Sequence, residues 1–279
     1  MAETADAALF EAIAGATAKA IRRAEIEMPP DVLARLRRAA ASETSEVARQ
    51  ELQNIFANIE EAERRQIPIC QDTGVMVVYL TVPPDIPFSG RLGDAVAEGV
   101  ARATGEVPLR PNVVDPIARH NTGTNTGQGM PVVHVLPGDQ ITVTVLPKGA
   151  GSENVSRTAM LLPSQQAEIP RFVAETMLLA GGKPCPPVVL GVGIGSTFDG
   201  VAALAKEALL QPIDAMDPFE QMICDVVNSL EIGPMGLGGA TTALAVKVKT
   251  ADCHTASLPV AVNVQCWACR RATEIVEVP

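Results

Sequence analysis

The hydrophobic periodicity of the chain changes once, at Ile67, and that change constrains the fold more than any other feature of the sequence. Before it, Ala, Leu, Ile and Phe recur at three- and four-residue spacing from Thr4 to Ile26, the repeat of a helix with one apolar face. MPPDVLARLRRAA starts a second helix, with Pro30 in the first turn, where its missing N–H would have no intrahelical partner anyway. A third helix is expected over Ser45–Arg65, with Glu and Arg on its polar face. Residues 1–66 therefore read as a helical N-terminal layer without chemistry of its own. After Ile67 come short strands separated by glycine loops: VMVVYLTV (75–82), VVHVL (132–136), DQITVTVL (139–146) and PVVLGVGIG (187–195), with ALAVKVKTA, LPVAVNVQC and TEIVEV closing the chain. Helices are expected over Leu92–Thr104, Glu168–Ala180, Phe198–Leu210 and Phe219–Leu230. With no linker and no repeat, residues 67–279 read as one α/β region with short strands and glycine-rich loops. The expected fold class is mixed α/β.

Composition narrows the partners. The 279 residues are 47% hydrophobic and 19% charged, enough to build a core and too apolar for disorder. Aromatics are only 3%, so aliphatic side chains must fill the interior. A net charge of −10 argues against nucleic acid or an anionic membrane as partner. An anionic substrate is compatible with it, given a local cluster of arginines. The chain start lacks a basic segment, and no apolar run approaches the ~18 residues of a membrane span, so a soluble, cytoplasmic protein is expected.

Three loops invite a chemical reading. GVGIGSTFDG follows a strand and precedes a helix, as a dinucleotide-binding fingerprint does, but Ser196 stands at the third glycine position. Asp214 and Asp217 lie near the ribose-binding distance, yet in a Pro-rich loop rather than at a strand end. Tight packing of helix on strand, or a helix N-terminus aimed at an anion, explains these glycines better. NTGTNTGQG (121–129) is a surface turn by composition, and so many short polar side chains could also wrap a small ligand. KGAGSEN (148–154) leads into an expected helix capped near Ser152, with backbone N–H groups suited to a carboxylate.

Six cysteines, at positions 70, 185, 224, 253, 266 and 269, are spread along the chain, and a cytosolic protein of this size needs no disulfides. Cys224 falls within an apolar helical pattern and reads as core, and Cys253 borders a strand without a clear signal. The others sit in turn chemistry, at ICQDTG, KPCPPV and QCWACRR. Cys70, Cys185 and Cys266 are separated by 115 and 81 positions, too widely for a local ferredoxin pattern, so a shared site would need three loops of a folded domain. Three thiolates leave one iron of a four-iron cluster open, a Lewis acid suited to moving water on and off a small acid. The rival is structural zinc, with Cys266 and Cys269 as a CxxC and Cys70 and Cys185 completing four sulfurs. Spacing alone does not choose between iron and zinc.

ICQDTG at 69–74, PLRPN at 108–112, NTGTNTGQGMP at 121–131, CPPVVLGVGIG at 185–195 and LPVAVNVQCWACRR at 258–271 together resemble the iron–sulfur-dependent class I fumarate hydratases. The similarity is to the α subunit of the two-subunit form, shared with L-tartrate dehydratase, and it covers nearly the whole chain. It implies a [4Fe–4S] cluster held by Cys70, Cys185 and Cys266, with Cys269 outside the ligand set, which weakens the zinc reading. It also implies that Gln71 and Asp72 contact substrate, that Arg110 grips a substrate carboxylate, and that Gly151 offers a main-chain contact. A planar guanidinium suits such two-pronged binding. His254 matches a histidine near the aspartate, as proton-transfer group or as its orienter, whereas His120 and His134 read as structural.

Single-chain relatives carry a further C-terminal domain with more cationic residues and the base, while this sequence ends at Pro279. The resemblance thus implies a separate β subunit, a hetero-oligomer and an active site at the junction. The expected reaction interconverts fumarate and (S)-malate, because LPVAVNVQC looks closer to the fumarase pattern. L-Tartrate dehydration is the alternative within the class. A non-catalytic zinc- or cluster-binding scaffold is the alternative outside it, disfavoured by Asp72 and Arg110 beside the cysteine loops.

Overall fold

The computed structural model describes residues 2–86 and 90–277. Among them the fold is mixed α/β, with eight α-helices and eight strands in two four-stranded sheets. The chain divides into two compact units, one built from residues 1–29, 59–149 and 270–279, the other from 30–58 and 150–269. Of the N-terminal helices, α1 (Ala2–Ile26) belongs to the first unit and α2 (Pro30–Ser42) to the second, while α3 (Glu46–Arg65) runs from the second into the first.

The first unit holds a sheet in the order β2-β1-β3-β8, made of β1 (Val75–Val82), β2 (Val132–Pro137), β3 (Thr142–Lys148) and β8 (Ala272–Ile275). β2 runs parallel to β1, and β3 antiparallel to it. Alternate residues Met76, Val78 and Leu80 of β1 join Val143 and Val145 of β3 on one face. That face is covered by α1 and α4 (Gly90–Glu106), through Ile13, Ala20, Ile21, Val96 and Val100.

The second unit holds a sheet in the order β4-β7-β5-β6, from β4 (Arg157–Leu161), β5 (Val188–Ser196), β6 (Ala243–Cys253) and β7 (Leu258–Gln265). Its β5 sequence sorts by size. Val188, Leu190 and Val192 face an apolar layer with α6 (Ile169–Ala180) and α8 (Pro218–Asn228). The alternate Gly191 and Gly193 face α7 (Phe198–Ala208), where a Cβ would lie 2.0 Å from the Ala205 carbonyl and 2.2 Å from that of Val201. These glycines let helix and strand touch, as the packing explanation expects.

One expectation needs correction. The helix expected after Ser152 is one turn only, α5 (Ala150–Glu153), and the chain then enters β4. RTAML carries little strand propensity, and it is extended because β7 offers it an antiparallel ladder from Arg157↔Val262 to Leu161↔Leu258. No helix among the described residues is long and apolar enough to cross a membrane.

Candidate active site

In the first unit, the segment carrying Asp72 and the one carrying Arg110 are tied together by main-chain polar bonds. The buried Thr73 hydroxyl accepts the Arg110 N–H at 3.1 Å, and the Asn112 side-chain amide donates to the Gly74 carbonyl at 3.0 Å. NTGTNTGQG supplies the third strap. Asn125, fully buried, donates to the Arg110 carbonyl at 3.0 Å and to Thr104 Oγ1 at 3.2 Å, while its Oδ1 accepts the Asn112 N–H. This loop therefore turns one polar side chain inward to hold Arg110. The sequence marked the loop but not Asn125, whose role depends on a left-handed backbone (φ 58°) that Asn tolerates better than most residues.

The Asp72 carboxylate is fixed as closely as its backbone. Its Oδ1 accepts the Gly74 N–H at 3.0 Å. A Cβ at Gly149 would stand 2.9 Å from its Oδ2, so the end of β3 passes the carboxylate at a distance only glycine permits. Around this fixed group the Gln71 and Arg110 side chains are exposed, and Gln71 Oε1 faces the Cys70 thiol at 3.7 Å. An anchored carboxylate, and an exposed guanidinium on a main chain tied to the same segment, are groups suited to orienting a small anion.

In the second unit, the Cys185 and Cys266 loops meet. The Trp267 N–H donates to the Cys185 carbonyl at 3.3 Å. The Cys185 N–H is held by the Gly182 carbonyl at 3.1 Å, and the Pro186 carbonyl accepts the Met235 N–H at 2.8 Å. Cys185 itself has a positive φ of 53°, a conformation that costs a non-glycine residue on the order of 1–3 kcal/mol and clusters at functional sites. Gly151 is exposed in α5, where a Cβ would stand 3.2 Å from the Lys183 carbonyl near the same loop. His254 is exposed in the turn between β6 and β7, and its Nδ1 accepts the Ala256 N–H at 3.1 Å, which places the proton of the neutral ring on Nε2.

Burial separates the cysteines, none of which is in a disulfide. Cys70, Cys185 and Cys266 are half-buried, Cys224 and Cys269 are buried, and Cys253 is exposed. Burial pushes the Cys224 thiol up to about 11, so it is no thiolate at neutral pH. The half-buried loop thiols, Cys70 in the first unit and Cys185 and Cys266 in the second, have the donor chemistry of iron–sulfur ligands. Among the described residues no three His, Cys, Asp or Glu side chains converge on the position of a single metal ion. A cluster is a larger body whose thiolates each bind a different iron.

The groups that a nucleotide would need are spent locally. Asp217 caps α8, accepting the Phe219 and Glu220 N–H groups at 2.8 Å each. The N-terminus of α7 already has its anion, Asp199, whose carboxyl is held low by the Thr197 hydroxyl at 2.6 Å and by backbone N–H groups.

Comparison with known proteins gives the family. The family model described as Fumarate hydratase (Fumerase) matches residues 14–275. A Methanocaldococcus jannaschii chain named "Putative L(+)-tartrate dehydratase subunit alpha" is 45% identical over 269 residues, covering 92% of this chain and 94% of its own length. L(+)-tartrate dehydratase subunit alpha of Escherichia coli strain K12 is 34% identical over 278 residues, covering 96% and 90% respectively. With the family model spanning nearly the whole sequence and relatives of this identity matched end to end, the chain belongs to the Fumarate hydratase (Fumerase) family, a family of hydro-lyases.

Proposed function

We propose that this chain is the α subunit of a two-subunit, cytoplasmic [4Fe–4S] hydro-lyase that interconverts fumarate and (S)-malate. The observation that supports the reading is the strapping of the Arg110 main chain to Thr73 and Asn125, which ties the segment carrying Arg110 to the one carrying Asp72. Cys70, Cys185 and Cys266 would hold the cluster, whose open iron supplies a Lewis acid when bound. Arg110 takes a substrate carboxylate in a two-pronged grip, and Gln71 and the main chain at Gly151 are further substrate contacts. Asp72, its carboxylate already anchored by the Gly74 N–H, holds charge in place beside the reacting carbons. His254 orients charge or carries a proton, and the β subunit supplies the base for the C3 proton. The relatives' designation as alpha subunits supports a partner chain.

A second reading has a specific observation behind it: both relatives are named for L(+)-tartrate, whose dehydration yields oxaloacetate. The test is a substrate comparison on anaerobically purified enzyme with its partner subunit. Fumarate hydration with kcat/KM above that for L-tartrate supports the first reading. A preference for L-tartrate replaces it with the second, and inertness toward both removes the hydro-lyase assignment.

A further inference from the structure

Beneath the segment that carries Cys70, Gln71 and Asp72, the first unit buries an ion pair that the proposed chemistry does not use. Glu25, at the end of α1, is 0% exposed, and Arg270, just before β8, is 1% exposed. Arg270 Nη1 meets Glu25 Oε2 at 2.6 Å. Two further bonds run from this pair to the loop. Arg270 Nη2 donates to the Asp72 main-chain carbonyl at 2.9 Å, and the Glu25 main-chain carbonyl accepts the Ile69 N–H at 2.8 Å. The two residues between those anchors are Cys70 and Gln71.

We infer that Glu25 and Arg270 are positioning residues, a buried clamp that holds residues 69–72 at both ends and so sets the placement of Cys70 and Asp72. Stability alone does not account for the pair. Two charges taken out of water lose hydration that their mutual attraction often fails to recover, and an apolar pair of similar volume usually packs as well. Glu25 Oε1 is buried with no hydrogen-bond partner among the described residues, so the carboxylate is not even fully satisfied. An apolar pair cannot supply the donor to the Asp72 carbonyl. A planar guanidinium can, because one nitrogen reaches the carboxylate while the other reaches the loop. A lysine offers one nitrogen for both tasks.

The positioning role rests on the hydro-lyase reading, so the test has one arm that needs no activity. In the full-length, metal-free chain, amide hydrogen exchange over residues 69–74 and the iodoacetamide alkylation rate of Cys70 are compared in wild type, Glu25→Leu/Arg270→Met and Arg270→Lys. The exposed Cys253 is the internal control. The double variant is expected to keep a melting temperature near that of wild type, to exchange 69–74 at least tenfold faster, and to alkylate faster at Cys70 but not at Cys253. In the complex with the partner subunit its kcat should fall at least tenfold with a smaller change in KM, and Arg270→Lys should recover part of the loss. A folded double variant with wild-type exchange over 69–74 overturns the clamp. Should that variant not fold, Arg270→Lys decides by the same readout. A wild-type complex inert toward fumarate and L-tartrate, whose variants still loosen 69–74, overturns the hydro-lyase reading and leaves the clamp as a device that orders the loop.

Discussion

The Asn125 side chain donates to the Arg110 carbonyl at 3.0 Å from a backbone with φ of 58°, so one residue supplies both the turn and the strap. The two contributions separate by substitution. Asn125→Ala loses the buried bonds to Arg110, Asn112 and Thr104 and also forces a Cβ into the left-handed region without the local polar bonds that ease it. Asn125→Gly loses the bonds alone. Urea unfolding should show Asn125→Ala destabilised by about 3 kcal/mol, with glycine recovering only about 1 of it. Both variants should raise KM for the dicarboxylate, because Arg110 loses its strap. A glycine variant with wild-type KM would separate Asn125 from substrate binding.

Glu25 predicts the sign of a pH dependence. Burial pushes its carboxyl from 4.5 up to about 7, against the pull of Arg270 and with a push from the Asp72 charge. A carboxyl whose folded value is raised stabilises the fold fully below about 4.5, and that contribution is lost as pH rises through about 7. At ~1.36 kcal/mol per pH unit the whole displacement corresponds to about 3 kcal/mol. The stability difference between wild type and Glu25→Gln, read by urea unfolding from pH 5 to pH 8, should therefore drift against wild type up to about pH 7 and level off above it. A difference that stays constant across this range, or drifts the other way, contradicts the assignment.

The cysteines divide by burial. Cys70→Ser, Cys185→Ser and Cys266→Ser should each purify anaerobically without the iron and sulfide expected of wild type, because each removes one of the three proposed ligands. Cys224→Ala, Cys253→Ser and Cys269→Ala should keep both, since these residues are buried in packing or, for Cys253, exposed at the end of β6. Iron and acid-labile sulfide analysis decides it. Loss of iron from Cys269→Ala with retention in Cys70→Ser would exchange the ligand set for the CxxC pair.

How far the sequence reached depends on how local each signal is. The apolar run of 75–82 matches β1 residue for residue, and the three- and four-residue apolar repeat from Thr4 to Ile26 is α1. A strand buried on both faces and a helix buried on one each leave their pattern in neighbouring residues, which suffice to read them. β4 was invisible because RTAML is a strand only through its ladder with β7, about 100 positions away. The site divides in the same way. Motifs place Cys70, Asp72 and Arg110, yet the side chains bonded to the Arg110 and Asp72 main chain, Asn125 and Arg270, act from 15 and 198 positions away. A buried asparagine in a polar turn and a buried glutamate on an apolar helix look like surface residues until the fold shows what they touch.

Arg110→Lys tests the carboxylate grip and the divided site together. The Arg110 side chain is exposed while its main chain is held at N–H and carbonyl by Thr73 and Asn125, so lysine there should leave the fold intact. What changes is the geometry of the head group. An ammonium keeps the charge but cannot reproduce two parallel N–H contacts, and one lost charge-assisted hydrogen bond of ~1.5–3 kcal/mol means roughly a 10–150-fold fall in kcat/KM. Measured in the complex, that fall should come with an unchanged melting temperature. The chain alone, loaded with its cluster, should turn over negligibly whichever residue stands at 110, because the base is assigned to the partner subunit. Steady-state rates for chain and complex, with arginine and lysine at this position, complete the comparison. Full activity in the chain alone would place the base within this sequence, with His254 the first residue to replace. Full activity in Arg110→Lys would move the carboxylate grip to another cation.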